Sequence, residues 1–150
     1  MSKKNNFKIS CLGSVYYGSK LSEVELSIKS LTKGIEKPEE IILVIDGDIK
    51  KNLKSYLKNL EKSKIIKLVP CKDNNGLGVA LNIGLKKCKY ELICRFDTDD
   101  ISLSNRLIES KKAFERNPNL DIFGSNIIEF IESKNKFVKC NFKKMPHSNL

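Results

Sequence analysis

Apolar positions along this chain alternate between short continuous runs and steps of three or four residues. Residues 7–15 (FKISCLGSV) form a mixed apolar run rich in small side chains, as a buried first strand would. Leu21, Val24, Ile28, Leu31 and Ile35 then recur at helical spacing, with Ser22 and Glu25 placed as a capping box and Gly34 and Pro38 as the stop. Residues 40–45 end in an aliphatic run bounded by Pro38 and Asp46-Gly47, the pattern of a strand buried on both faces of a parallel sheet. Leu53, Leu57 and Leu60 predict a second helix, and residues 65–69, closed by Pro70, a third strand. A third helix spans 79–87, entered through the glycine-rich stretch 74–78; a fourth strand follows at 90–96, and a fourth helix at 103–114, ending at Asn117-Pro118. Beyond Pro118 the pattern changes to short β-like runs at 120–124, 127–131 and 136–142, and residues 145–150 read as a linker.

Strand and helix in strict alternation predict an α/β fold, with right-handed crossovers and a parallel sheet covered by helices on both faces. In such sheets ligands bind beyond the carboxyl ends of the strands. That rule gathers Ser14, Val15 and Tyr16, the Asp46-Gly47 pair and the run Asp97-Thr98-Asp99-Asp100 at one edge, because each directly follows a predicted strand.

Size and composition narrow the class. A chain of 150 residues with 40% apolar side chains predicts one domain over 1–150, burying roughly two-thirds of its unfolded surface. The aliphatic run at 41–45 is far shorter than the ~20 residues of a membrane span, and the basic start, residues 1–6, lacks the apolar segment of a secretory signal, so the expected location is cytoplasmic. Five cysteines, widely spaced and without a CxxC pair, predict reduced structural thiols; a single histidine, His147, gives no zinc set. The net charge of +10 suits nucleic acid, an anionic membrane surface or an anionic substrate. The lysines, however, are spread over nearly every predicted helix face, which favours solvated surfaces over a nucleic-acid stripe.

The acidic run carries the strongest chemical signal. Three carboxylates within four residues repel one another unless a cation intervenes, and Asp97 and Asp99, one residue apart at a strand end, suit a hard divalent ion that also bridges phosphate oxygens. A helix-capping loop would explain Asp100 or Ser102 but hardly all three acids. Asp46 is equally suited to receiving a base or ribose donor and to a plain Asp-Gly turn. Tyr16 and Tyr17 suit either a flat ring or rim packing. Asn74, Gly76, Ala80, Asn82 and Gly84 spell NxGxxxAxNxG at a helix entry, where glycines permit close backbone approach and the helix N-terminus favours a diphosphate. Two rival readings differ in class. One is a haloacid-dehalogenase-like phosphohydrolase with Asp97 as nucleophile, whose motif would ordinarily open the fold rather than follow three strands. The other is a basic, non-catalytic binding domain.

Taken in order, these segments resemble the nucleotide-binding half of an inverting family 2 glycosyltransferase of the GT-A fold, a Rossmann-like, mostly parallel sheet with helices on both faces. The resemblance covers about residues 7–130. It rests on Ser14-Val15-Tyr16-Tyr17, on Ser30 and the run 39–47, on NxGxxxAxNxG, on Phe96-Asp97-Thr98-Asp99-Asp100 as a DxD element followed by Arg106-Leu107, and on residues 121–125. Ile45 departs from it, replacing the first acid of the usual pair. The resemblance implies transfer of a sugar from a nucleoside-diphosphate sugar, most often a UDP-sugar, to a glycan or lipid-linked acceptor in bacterial surface polysaccharide synthesis, with peripheral contact at the inner membrane surface and no nucleic-acid partner. It also implies nucleotide-sugar contacts from Ser14, Val15, Tyr16, Asp46, Asn74, Gly76, Asn82, Asp97 and Thr98, and Mg²⁺ or Mn²⁺ at Asp97 and Asp99. The family's catalytic base, an Asp or Glu, is expected beyond Leu150; His147 is a poor substitute for it, so this chain is expected to hold the donor.

Overall fold

The computed structural model describes residues 7–131 and 136–140. Four strands, β1 (Ile9–Val15), β2 (Glu40–Ile45), β3 (Lys67–Pro70) and β4 (Leu92–Arg95), form one parallel sheet in the order β3-β2-β1-β4. Helices α1 (Leu21–Thr32), α2 (Lys51–Lys62) and α3 (Leu77–Leu85) connect them, and α4 (Arg106–Arg116) follows β4. The chain therefore steps outward from β1 to β3 and returns to the opposite side of β1 for β4. This reversal leaves a crevice between the carboxyl ends of β1 and β4, the switch point at which open α/β sheets take ligands.

The side-chain alternation of the central strands decides how the helices divide. On β2, Ile41 and Leu43 face a core built with Val24, Ile28 and Leu31 of α1, Leu53 and Leu57 of α2 and Leu107 of α4. Ile42 and Val44 face the other way, with Leu12 and Val69, onto Ala80 of α3. Both layers are dry, Leu43, Ile42, Leu53 and Leu57 being fully buried; each such side chain contributes about 1.5–3 kcal/mol over exposure. α3 lies so close to the sheet that a Cβ at Gly84 would stand 2.5 Å from Leu12 Cδ1 and 2.6 Å from Val44 Cγ2. Glycine there is a packing requirement.

One buried cation pins α4 to the segment entering β2. Lys111 donates to Glu36 at 2.8 Å and to Glu39 at 3.0 Å, while Glu39 also accepts from the Ile9 N–H. Burial opposes the charge on Glu39, yet the bonds from Ile9 and Lys111 hold its carboxyl below the usual range. Burial likewise opposes the charge on Lys111, and the two glutamates hold its ammonium above the usual lysine value.

Two local expectations are corrected. The capping box does not form: the N-cap of α1 is Lys20, without a side-chain cap, and Ser22 lies within the first turn. A tight turn made by Ser19 with Tyr16 sets the helix start two residues earlier. Residues 120–124 form no strand, since no segment among the described residues pairs with them and Asp121, Ile122 and Phe123 are exposed. The remaining β-like runs, β5 (Ile127–Ile131) and β6 (Lys136–Cys140), pair with each other as an antiparallel hairpin. Cys11, Cys71, Cys88 and Cys94 are free thiols; residues 141–150, including the expected linker and His147, lie outside the described residues.

Candidate functional site

Three strand ends and one helix entry build the site. After β1 the chain turns sharply: the Tyr16 N–H donates to Ser19 Oγ at 3.1 Å and the Ser19 N–H returns to the Tyr16 carbonyl at 3.0 Å. The Tyr16 ring folds over Gly18, where a Cβ would meet it at 2.5 Å. Glycine thus lets the ring lie flat over the turn, half exposed toward the crevice. Tyr17 points elsewhere, its ring 5.8 Å from Lys50 Nζ.

After β2, Asp46 is buried, and both of its oxygens accept backbone hydrogen bonds from the loop ahead of α3: Oδ1 from Asn75 N–H at 2.9 Å and Oδ2 from Gly76 N–H at 3.0 Å. Gly47 adopts φ +78°, and any Cβ there would approach the Asn74 nitrogen at 2.9 Å. The Asp-Gly pair is therefore a turn and also the clamp that lays residues 74–76 across the end of β2. Each oxygen keeps a second lone pair.

After β4, Phe96 is buried against Gly13 and the acidic loop begins. Thr98 Oγ1 donates to the Ser14 carbonyl at 3.1 Å, joining the ends of β1 and β4. Two helix hydroxyls hold the loop from below. Ser27 Oγ donates to the Asp97 carbonyl at 3.0 Å; Ser30 Oγ accepts from the Ser102 N–H at 2.9 Å and donates to the Ser27 carbonyl at 2.7 Å. Reading for chemistry in the sequence misses Ser27. Its signal is positional: a hydroxyl on the apolar face of α1, between Val24 and Ile28, must find a buried acceptor.

These pieces enclose a cleft of about 670 Å³, within the size range of small-ligand sites. Of the residues singled out in the sequence, Ser14, Tyr16, Asp46, Asn74, Gly76, Asp97, Thr98, Asp99 and Asp100 line it together, with Arg95, Lys20 and Glu23 added by the fold. Two stand apart. Val15 is fully buried in the core, because strand alternation turns it away from Ser14. Asn82 is exposed on α3, more than a turn past the cleft residue Leu77.

The cleft is electrostatically uneven. Arg95 Nη2 pairs with Asp97 Oδ1. Partial burial, then the charges of Asp99 and Asp97, push the Asp100 carboxyl above its usual range. Among the described residues no group of three or more His, Cys, Asp or Glu converges as a metal cage. An acidic loop of this kind offers a divalent ion one or two hard oxygens and leaves the remaining positions to phosphate and water, the usual arrangement for Mg²⁺ at phosphate sites.

A four-stranded parallel sheet with a ligand-sized cleft at its switch point is the arrangement of the GT-A fold. A mannosyltransferase from Pyrobaculum calidifontis, solved with GDP-Man and Mn²⁺, superposes with a TM-score of 0.63 at 15% identity, covering 74% of this chain and 33% of its own. The fold is that of the GT-A class. Residues 15–147 match the family described as Glycosyl transferase family 2, and the chain belongs to that family. It is 34% identical over 140 residues to the amylovoran biosynthesis glycosyltransferase AmsE of Erwinia amylovora, covering 93% of this chain and 51% of the relative. It is 31% identical over 142 residues to a UDP-Gal:alpha-D-GlcNAc-diphosphoundecaprenol beta-1,3-galactosyltransferase of Escherichia coli, covering 95% and 51%. The chain thus spans about half the length of these curated relatives. Family membership does not favour the phosphohydrolase reading or the non-catalytic one. No helix among the described residues is long and apolar enough to cross a membrane.

Proposed function

We propose that the cleft binds a nucleoside-diphosphate sugar and that the chain is the donor-binding part of a glycosyltransferase of bacterial surface polysaccharide synthesis. One observation carries the reading. Tyr16 and Ser14 at the end of β1, and Asp97, Thr98 and Asp99 at the end of β4, share one cleft at the switch point of the sheet. The half-exposed Tyr16 ring suits a nucleotide base, and UDP is the favoured donor nucleotide because a relative is named for UDP-Gal. Asn74 and Gly76, laid down by Asp46 at the entry of α3, suit the diphosphate side.

Asp97 and Asp99 would hold Mg²⁺ or Mn²⁺, and the mannosyltransferase solved with Mn²⁺ supports a metal at this fold's donor site. The ion would neutralise charge on the departing diphosphate. Ser27 and Thr98 keep the acidic loop seated against α1 and β1, so its carboxylates are oriented before ligand arrives. Transfer with inversion to a glycan or lipid-linked acceptor needs a base to take the acceptor proton. In the family pattern that base is an Asp or Glu, and the residues assigned here serve the donor side of the reaction. The expected contact with the inner membrane surface finds no support in the described fold.

Calorimetry with UDP and Mn²⁺ on wild type and Asp99→Ala tests the reading. Binding in wild type and a loss of tenfold or more in the variant is the expected result; equal affinity in both removes the assigned role of Asp99.

A further inference from the structure

Arg95 closes β4 inside the cleft, and the mechanism above leaves its guanidinium without a task. Its backbone is fixed from behind: Arg106 Nη2 donates to the Arg95 carbonyl at 2.7 Å, and Arg106 Nη1 to Ser102 Oγ at 2.9 Å. Its side chain is half exposed and pairs with Asp97 Oδ1. The other cation lining the cleft, Lys20, is bonded to Glu23 at 2.8 Å. Asp46 is engaged by backbone N–H groups, so the negative charge of the cleft is concentrated on the loop acids, Asp97 with Arg95 as its partner and Asp99 and Asp100 beside it.

A diphosphate entering such a cleft meets like charge, and one divalent ion on Asp97 and Asp99 neutralises only part of it. That same ion competes with Arg95 for Asp97. We propose that Arg95 changes partner on donor binding, giving up Asp97 to the divalent ion and pairing with a diphosphate oxygen. Exposed ion pairs contribute little, so the Asp97 contact is readily released. The guanidinium fork matches phosphate oxygens and cannot lose its proton at working pH. In the unliganded protein Arg95 stands in for the metal; in the loaded protein it adds a second positive charge on the diphosphate. The inference rests on the donor-site reading.

The two halves of the exchange predict opposite signs for one substitution. Free Mn²⁺ followed by electron paramagnetic resonance reports binding of the metal alone, and calorimetry with UDP in saturating Mn²⁺ reports the loaded site. In Arg95→Ala the metal alone should bind about threefold to tenfold more tightly, because its competitor is gone, while UDP should bind about tenfold more weakly. Arg95→Lys should fall between wild type and alanine in both assays, and Arg95→Gln should repeat the alanine result if the alanine variant folds poorly. A variant set in which metal affinity is unchanged or weaker, or UDP affinity is unchanged, overturns the exchange while leaving the donor site in place. Wild-type protein that binds neither Mn²⁺ nor UDP overturns the donor-site reading and the exchange with it.

Discussion

Ser27, on the buried face of α1, donates its hydroxyl to the carbonyl of Asp97 at 3.0 Å, across seventy residues of sequence. A helix whose N-cap Lys20 and first-turn residues Glu23 and Val24 line the cleft thus also sets the height of the acidic loop. Removing the hydroxyl in Ser27→Ala leaves a carbonyl with one partner fewer. The expected loss is about 1 kcal/mol of stability in urea unfolding, with weaker UDP–Mn²⁺ binding in the folded protein. Ser30→Ala should show a smaller binding effect, since its bond reaches Ser102 and not the carboxylate pair.

Asp46→Asn tests the clamp between β2 and α3. The carboxylate accepts from two N–H groups, and an amide offers one oxygen and turns an NH₂ toward the other donor. Unfolding free energy should fall by about 1–3 kcal/mol. Hydrogen exchange should quicken at Asn75 and Gly76 more than at β1; unchanged protection there would show that the loop is held by something else.

Gly84→Ala probes the contact between α3 and the sheet. Its new methyl meets Leu12 Cδ1 and Val44 Cγ2, so the gain in helix propensity is outweighed by overpacking of about 1–3 kcal/mol. Thermal melting should show the loss. Leu12→Ala in the same background should recover part of it relative to Leu12→Ala alone, a double-mutant coupling that a simple helix effect would not give.

Lys111→Met gives a pH-dependent outcome. Glu39 is held below its usual range, so its contribution is present above the unfolded-state value of about 4.5 and is lost as pH falls through the lower folded value. Lys111 is held above its usual value, so its contribution is present below about 10.5 and fades as pH rises through the higher folded value. At pH 7 both are in force, and the substitution leaves two partly buried carboxylates unpaired. The expected loss is about 1–2 kcal/mol, below that of a fully buried pair because Glu36 is a third exposed. The deficit should shrink as pH falls through the lowered folded value of Glu39, where its carboxyl takes up a proton and the ammonium no longer has that charge to match. A deficit that grows on acidification would contradict this assignment of charges.

The hydrophobic pattern by itself determined the order of strands and helices from β1 to α4 and placed the runs Ser14 to Tyr16, Asp46-Gly47 and Asp97 to Asp100 at the carboxyl ends of strands. Local periodicity reports which residues share a face, and strand ends in a parallel sheet share an edge. Only the tertiary structure decided that β4 returns beside β1, which opens the crevice there, because a repeating pattern carries no information on which strands become neighbours. It also decided the fates of single residues. Val15 turned into the core and Asn82 out of the cleft; Asp46 became a clamp, Ser27 a prop beneath Asp97, and Arg95 the partner of that same carboxylate. Those outcomes depend on contacts between segments tens of residues apart, which strand register and helix docking create and which no local spacing encodes.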